Sequence, residues 1–415
     1  MSEFKKNVIS ADVPVFSARG NGKVHIEFDE NLFSGDSVRY NHSLARLCAQ
    51  FTIIGYDMPV DGAKKGTGIL YALEKVGMNG AEIYSQSLED EENYFFANKK
   101  ITVSGSEFTL VFAAFLGSRL GQWYTNFDAG TLDTHKGFEK CKNFLYEKLR
   151  SYITSLNIQK ENTKILLTGH SRGGAIANLL GAFLIDGEQF AFKENIYTFT
   201  FASPSVTMKS EKNDEKYKRI FNIVNDEDFV TKCMIPQWGY GRYGVTLSLP
   251  DKDNTDDYDF ILKEMNKHYT EYMSGEVFIP FKKGTKTVDK LFSKFSASIK
   301  NIDEYYEKQF NSPNGKTSMY SYFISTLCTV TGEPEGSEKK AAAVKLLLKT
   351  SFIRHKSSKA IKAIADFFVF YEGLAGATNG KISKTYFSYG HNIHTYCAYL
   401  MAVNEEKLFK INGIK

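Results

Sequence analysis

An α/β fold built on a central, mostly parallel sheet is what this sequence predicts, and three observations carry the prediction. Short apolar runs at 164–168, 196–202 and 219–224 alternate with helical patterns, as they do in βαβ units. The stretch ILLTGHSRGGAIANLLGAFL, Ile165 to Leu184, joins one of these runs to an alanine-rich helix through a turn flanked by glycines. At 415 residues, the chain is long enough for one large α/β domain carrying an insertion.

Residues 1–40 signal weakly, with one strand expected at 23–28. Arg19-Gly20-Asn21-Gly22-Lys23 lacks the spacing of a phosphate loop and reads as a hairpin turn. Leu44, Leu47, Cys48 and Phe51 set the apolar face of a helix over 40–56, and a second helix covers 67–76, stopping near Gly77. Extended segments at 94–103 and 108–116 are joined by Ser104-Gly105-Ser106-Glu107, which predicts a hairpin. Phe138, Cys141, Leu145, Leu149, Ile153 and Leu156 then form the core-facing stripe of a helix over 137–156.

Gly169-His170-Ser171-Arg172-Gly173 is a G-x-S-x-G sequence in a strand–turn–helix context. A serine on such a turn points its hydroxyl away from the sheet. Side chains two residues before and after it would strike neighbouring backbone, which Gly169 and Gly173 avoid. The helix that follows offers amides to an oxyanion. Ser171 is therefore the candidate nucleophile, and the fold class becomes an α/β-hydrolase.

Composition narrows the class of protein. The 52 Lys+Arg against 48 Asp+Glu give no reason to expect a nucleic-acid partner. Cys48, Cys141, Cys233, Cys328 and Cys397 are odd in number, scattered and without C-x-x-C, so they read as reduced thiols. The first residues lack a signal-peptide core and no apolar run reaches eighteen residues, so the expected location is cytoplasmic. No H-E-x-x-H or Cys/His cluster occurs, and neither a metal nor another cofactor is expected.

Five segments, in order, resemble the class 3 lipases, the family of the fungal triacylglycerol lipases and their bacterial relatives. They are Phe115-Leu116-Gly117-Ser118 with Trp123 and Asn126 downstream, His135-Lys136-Gly137-Phe138, Thr168 to Ala175 around the elbow, Phe199-Thr200-Phe201-Ala202-Ser203-Pro204, and Asn225-Asp226-Glu227-Asp228-Phe229-Val230. The resemblance is good from about residue 94 to 250 and thin elsewhere. It implies an oxyanion hole at Ser118 and the backbone of Arg172. It also implies an acid at Asp228, by its spacing to Val230, with Asp226 the alternative.

The fold requires a histidine downstream of the acid. His268 and His355 lie in lysine-rich helical patterns. His391 follows an expected strand at 385–389 and opens a helix, and it matches the family's H-x-[IM]-x-x-Y through Ile393 and Tyr396. His394, nearly one turn on, is the alternative. The implied enzyme is a Ser-Asp-His carboxylic-ester hydrolase acting on acylglycerol or related lipid esters. A phospholipase A, a small-chain esterase and a non-catalytic hydrolase-fold interaction protein remain open beside it.

Arg172 stands where the fungal enzymes often have leucine, and its charge is expected beside the pocket. Residues 251–384, between acid and histidine, read as a helical insertion, with stripes at 288–306, 341–353 and 360–371. The expected organisation is a core at 1–250, an insertion at 251–384 and a return to the core at 385–415. The insertion is read either as a cap over the site or as an added helical layer. Its lysine-rich faces are read either as solvated or as making transient contact with a membrane or lipid surface. The oligomeric state has no sequence signal.

Overall fold

The computed structural model describes residues 8–17, 20–56, 67–84, 93–117, 134, 136–228, 230–232, 240–280 and 390–414. The stripes expected within 281–389, His355, and the candidate oxyanion residue Ser118 lie outside them.

Strands β1 (Val8–Ser17) and β2 (Gly20–Asp29) pair antiparallel with Ser17 opposite Gly20, so the predicted turn closes a hairpin. β1 is an addition to the sequence reading. Pro14 in mid-run argues against a ladder strand, but in a two-stranded ribbon it needs no second partner. The helices α1 (His42–Tyr56) and α2 (Thr67–Lys75) follow as expected.

A seven-stranded sheet comes next, in the order β3 (Asn79–Tyr84), β4 (Tyr94–Val103), β5 (Ser106–Phe115), β6 (Thr163–His170), β7 (Ile196–Phe201), β8 (Ile220–Val224), β9 (Val245–Ser248). β3, β4 and β5 are antiparallel neighbours, whereas β5 through β9 run parallel. β3 escaped the sequence reading because it is a largely exposed edge strand without an alternating apolar pattern.

The sheet is covered on both faces. Phe95, Leu110, Phe112, Leu166, Phe199 and Phe221 share one core with the hairpin, α1 and α2. Phe96, Val111, Phe115, Ile165, Leu167 and Ile196 share the other with α3 (Lys136–Ser155) and α4 (Arg172–Gly187). Adjacent residues thus feed opposite cores, as the two-residue period of a strand requires. Both layers are apolar, so β6 is buried along its whole length and reads as a continuous apolar run.

The helix α5 (Tyr258–Tyr272) packs on α6 (Ile393–Ala402) and on β2, and a short α7 (Glu405–Ile411) closes the described chain. The first helix of the expected insertion is therefore packed into the same core as the hairpin.

Phe112 is fully buried, with Phe51 of α1 edge-on at 5.2 Å and Phe95 edge-on at 5.4 Å. Phe112→Ala is expected to cost about 3–5 kcal/mol of unfolding free energy, measured by urea denaturation, because truncating a fully buried ring loses its apolar contacts and leaves a cavity.

Candidate active site

The elbow is strained in the way the glycine pattern implies. Ser171 has φ 58° and ψ −127°, outside the regions a serine ordinarily occupies. Its N–H donates to Phe201 O at 2.9 Å, which pins the turn against the end of β7. A Cβ on Gly169 would lie 2.2 Å from Gly173 O, and one on Gly173 would lie 2.1 Å from Phe115 O. Neither backbone neighbour can yield, so both positions demand glycine.

Three sequence-predicted residues, 220 positions apart at the extremes, come together at the carboxyl end of the sheet. His391 Nε2 is 2.9 Å from Ser171 Oγ, and His391 Nδ1 is 2.9 Å from Asp228 Oδ2. An ionised carboxylate only accepts, so Nδ1 carries the proton and Nε2 is left to accept from the serine hydroxyl. The imidazole is 22% exposed and the carboxylate 1%, leaving the ring open to a substrate while the acid is sealed beneath it.

Asp228 is fully engaged. Besides His391, Oδ2 accepts from Tyr396 Oη at 2.7 Å, and Oδ1 accepts from Val230 N–H at 2.9 Å. Burial, and then the charge of Asp228, push the Tyr396 phenol well above its ordinary range, so it remains a donor. Asn225 links the acid loop to the histidine segment: its Nδ2 donates to Gly390 O at 3.0 Å, and its N–H donates to Tyr396 Oη at 3.1 Å. Arg242, partly buried, donates to Ser203 O at 2.7 Å and Thr231 O at 2.5 Å. Burial brings its guanidinium down to about 10, still charged at neutral pH in the field of Tyr396 and Asp228.

The alternative candidates stand elsewhere. Asp228, not Asp226, reaches the imidazole. The His394 ring turns to Asn392 Oδ1, 2.5 Å from its Nδ1, while Asn392 caps α6 by accepting from His394 N–H. His268 lies on α5. The Arg172 side chain is 3% exposed and its guanidinium donates to Cys141 Sγ on α3 at 2.7 Å. The guanidinium is therefore buried against α3. The backbone N–H of Arg172 stands at the first position of α4, where amides have no acceptor within the helix.

Two residues near the hydroxyl had no reading from sequence. His170, the variable position in the elbow pattern, is buried between Tyr56 and the histidine segment. Its Nδ1 is 2.8 Å from Tyr56 Oη and its Nε2 2.7 Å from His391 O. The hydroxyl of Tyr56, at the end of α1, accepts from Gly117 N–H at 2.7 Å. The only sequence signals were a histidine beside the serine and a tyrosine ending an otherwise apolar helix.

Burial holds several imidazoles below their usual range. His42 and His268 are lowered, His394 falls to about 4, and His170 lies well below 6.5 with the nearby His391 adding to the burial effect. Each binds a proton more readily in the unfolded chain, near 6.5, than in the fold. Stability from these groups is therefore complete above about pH 6.5 and is lost as pH falls toward their folded values. Unfolding free energy is expected to drop between pH 7 and pH 5, by about 1.4 kcal/mol per pH unit for each proton taken up. A flat urea-unfolding series over that range would contradict it.

Among the described residues no group of His, Cys, Asp and Glu is arranged to hold a metal ion, and no helix is long and apolar enough to cross a membrane. Cys48 and Cys397 are buried free thiols.

A mostly parallel sheet with a sharp serine turn after β6 gives the chain an α/β-hydrolase fold. The family model Lipase (class 3) matches residues 84–238. Solved structures similar to it include the Rhizomucor miehei lipase propeptide complex, at 21% identity over 42% of this chain and 57% of that one, with a TM-score of 0.33. The MDLA mutant form from Penicillium cyclopium is 18% identical over 50% and 77%, with a TM-score of 0.36. Lipase from Rhizopus microsporus var. chinensis is 19% identical over 49% and 71%, with a TM-score of 0.34. The chain spans less than two thirds of the first of these relatives. Among curated proteins there is no match.

Proposed function

We propose that the protein is a serine carboxylic-ester hydrolase acting on acylglycerol or related lipid esters. Ser171 is the nucleophile, His391 the base and Asp228 the orienting acid. The observation that carries the reading is the imidazole bridging a strained-turn hydroxyl and a sealed carboxylate at 2.9 Å on each side.

In the proposed cycle His391 Nε2 takes the hydroxyl proton as Ser171 Oγ attacks the ester carbonyl. The backbone N–H of Arg172 and the Ser118 position stabilise the oxyanion. Collapse of the adduct expels the alcohol, which takes the proton back from His391. Water, activated by the same nitrogen, then releases the acid and restores Ser171. Asp228 stays ionised and keeps the proton of His391 on Nδ1, while Tyr396 and Val230 hold the carboxylate in place. The match of residues 84–238 to the class 3 lipase model supports lipid esters as the substrate class.

A series of p-nitrophenyl esters from two to sixteen carbons (about that span), with emulsified triglyceride and phospholipid, tests this. Turnover that rises with acyl length and is lost in Ser171→Ala is the expected result. No turnover of any ester would end the reading.

A further inference from the structure

The hydrogen bonds running past Ser171 have an assignable direction. Gly117 N–H can only donate, and it meets Tyr56 Oη at 2.7 Å. The His391 carbonyl can only accept, and it meets His170 Nε2 at 2.7 Å. Between them, Tyr56 Oη lies 2.8 Å from His170 Nδ1. One arrangement uses every group once. Tyr56 accepts from Gly117 and donates to Nδ1, and His170, neutral and protonated on Nε2, donates to His391 O.

This chain spans three separate elements. Gly117 follows the end of β5 and directly precedes the oxyanion position Ser118. Tyr56 ends α1, and His170 ends β6 immediately before the nucleophile. His391 arrives from 220 residues downstream of Ser171, and two consecutive carbonyls of its segment are held. Gly390 O is held by Asn225 from the acid loop, and His391 O by His170 from the elbow. Each side-chain bond of the His391 ring, to Asp228 and to Ser171, is thus paralleled by a main-chain bond from a near neighbour of the same partner.

We infer that His170, backed by Tyr56, is a positioning residue: it braces the main chain of His391 against the elbow and ties both to the strand end at Gly117. This rests on the reading of Ser171 and His391 as nucleophile and base. The geometry also demands that His170 stay uncharged. Its ring lies 4.8 Å from that of His391, so a charge on it would oppose the imidazolium formed during acyl transfer. A proton on Nδ1 would in addition face the hydroxyl hydrogen that Tyr56 now directs there.

The test compares Tyr56→Phe, His170→Ala and His170→Gln in the full chain. Tyr56 is 37% exposed, so losing its hydroxyl leaves packing nearly untouched. With a short p-nitrophenyl ester, kcat is expected to fall about tenfold in Tyr56→Phe and about a hundredfold in His170→Ala, with KM within about twofold. His170→Gln, whose amide N–H can still donate to His391 O, should recover part of the loss. Independently of turnover, the ¹⁵N shifts of His170 in the unsubstituted protein at neutral pH should show Nε2 protonated and Nδ1 bare. Protonation on Nδ1 overturns the inference. So does a kcat unchanged in Tyr56→Phe and His170→Ala while Ser171→Ala is inactive. Turnover surviving in Ser171→Ala instead removes the underlying functional reading.

Discussion

Replacing Ser171 with alanine is expected to lower kcat for ester hydrolysis about a millionfold while leaving the fold intact. The size follows from what the substitution removes: it takes away the proposed nucleophilic atom, and among the described residues no other hydroxyl is bonded to His391 Nε2. The fold survives because the strain lies in the backbone, at φ 58°, and alanine accepts that conformation about as poorly as serine. The unfolding midpoint should move by no more than about 1 °C (roughly 1 kcal/mol for a chain this long), which thermal denaturation would show. A loss of only about tenfold in kcat would mean that a different group attacks the ester.

Asp228→Asn is expected to cost about ten-thousandfold in kcat, through the tautomer of His391. An amide NH₂ facing His391 Nδ1 moves the ring proton to Nε2, and that nitrogen can then no longer accept from Ser171. The carboxylate also receives three donors, from His391, Tyr396 and Val230, and an amide has only one oxygen to offer them. A donor is left facing an N–H, so a stability loss of about 1–3 kcal/mol should accompany the kinetic one. Asp226→Asn provides the control, with kcat within about threefold of the parent because no bond joins it to the imidazole.

The legible parts of this protein are those where a single local constraint dictates residue type. Continuous apolar runs gave away β6, β7 and β8 because both faces of those strands are covered. The elbow was visible because Gly169 and Gly173 each sit against backbone where a Cβ cannot fit. Asp228 and His391 were legible only with a family pattern beside them, since no local periodicity marks a carboxylate or an imidazole that acts across 163 positions of chain. β3 was hidden by its exposure and β1 by Pro14. The contact of Arg172 with Cys141 was not legible because sequence records the charge and not which neighbour it meets. Tyr56 and His170 were invisible for a related reason: a hydrogen-bond chain linking α1, β5, β6 and a distant segment exists only once the topology has brought them together.

The central claim is that Ser171 is a hydroxyl activated by His391. Reaction of the intact protein with a fluorophosphonate probe, followed by mass spectrometry of the digested chain, tests it most directly. The account predicts one covalent adduct on the peptide bearing Ser171, with a labelling rate at least about a thousandfold lower in His391→Ala. An adduct on another residue, or equal labelling in His391→Ala, would contradict it.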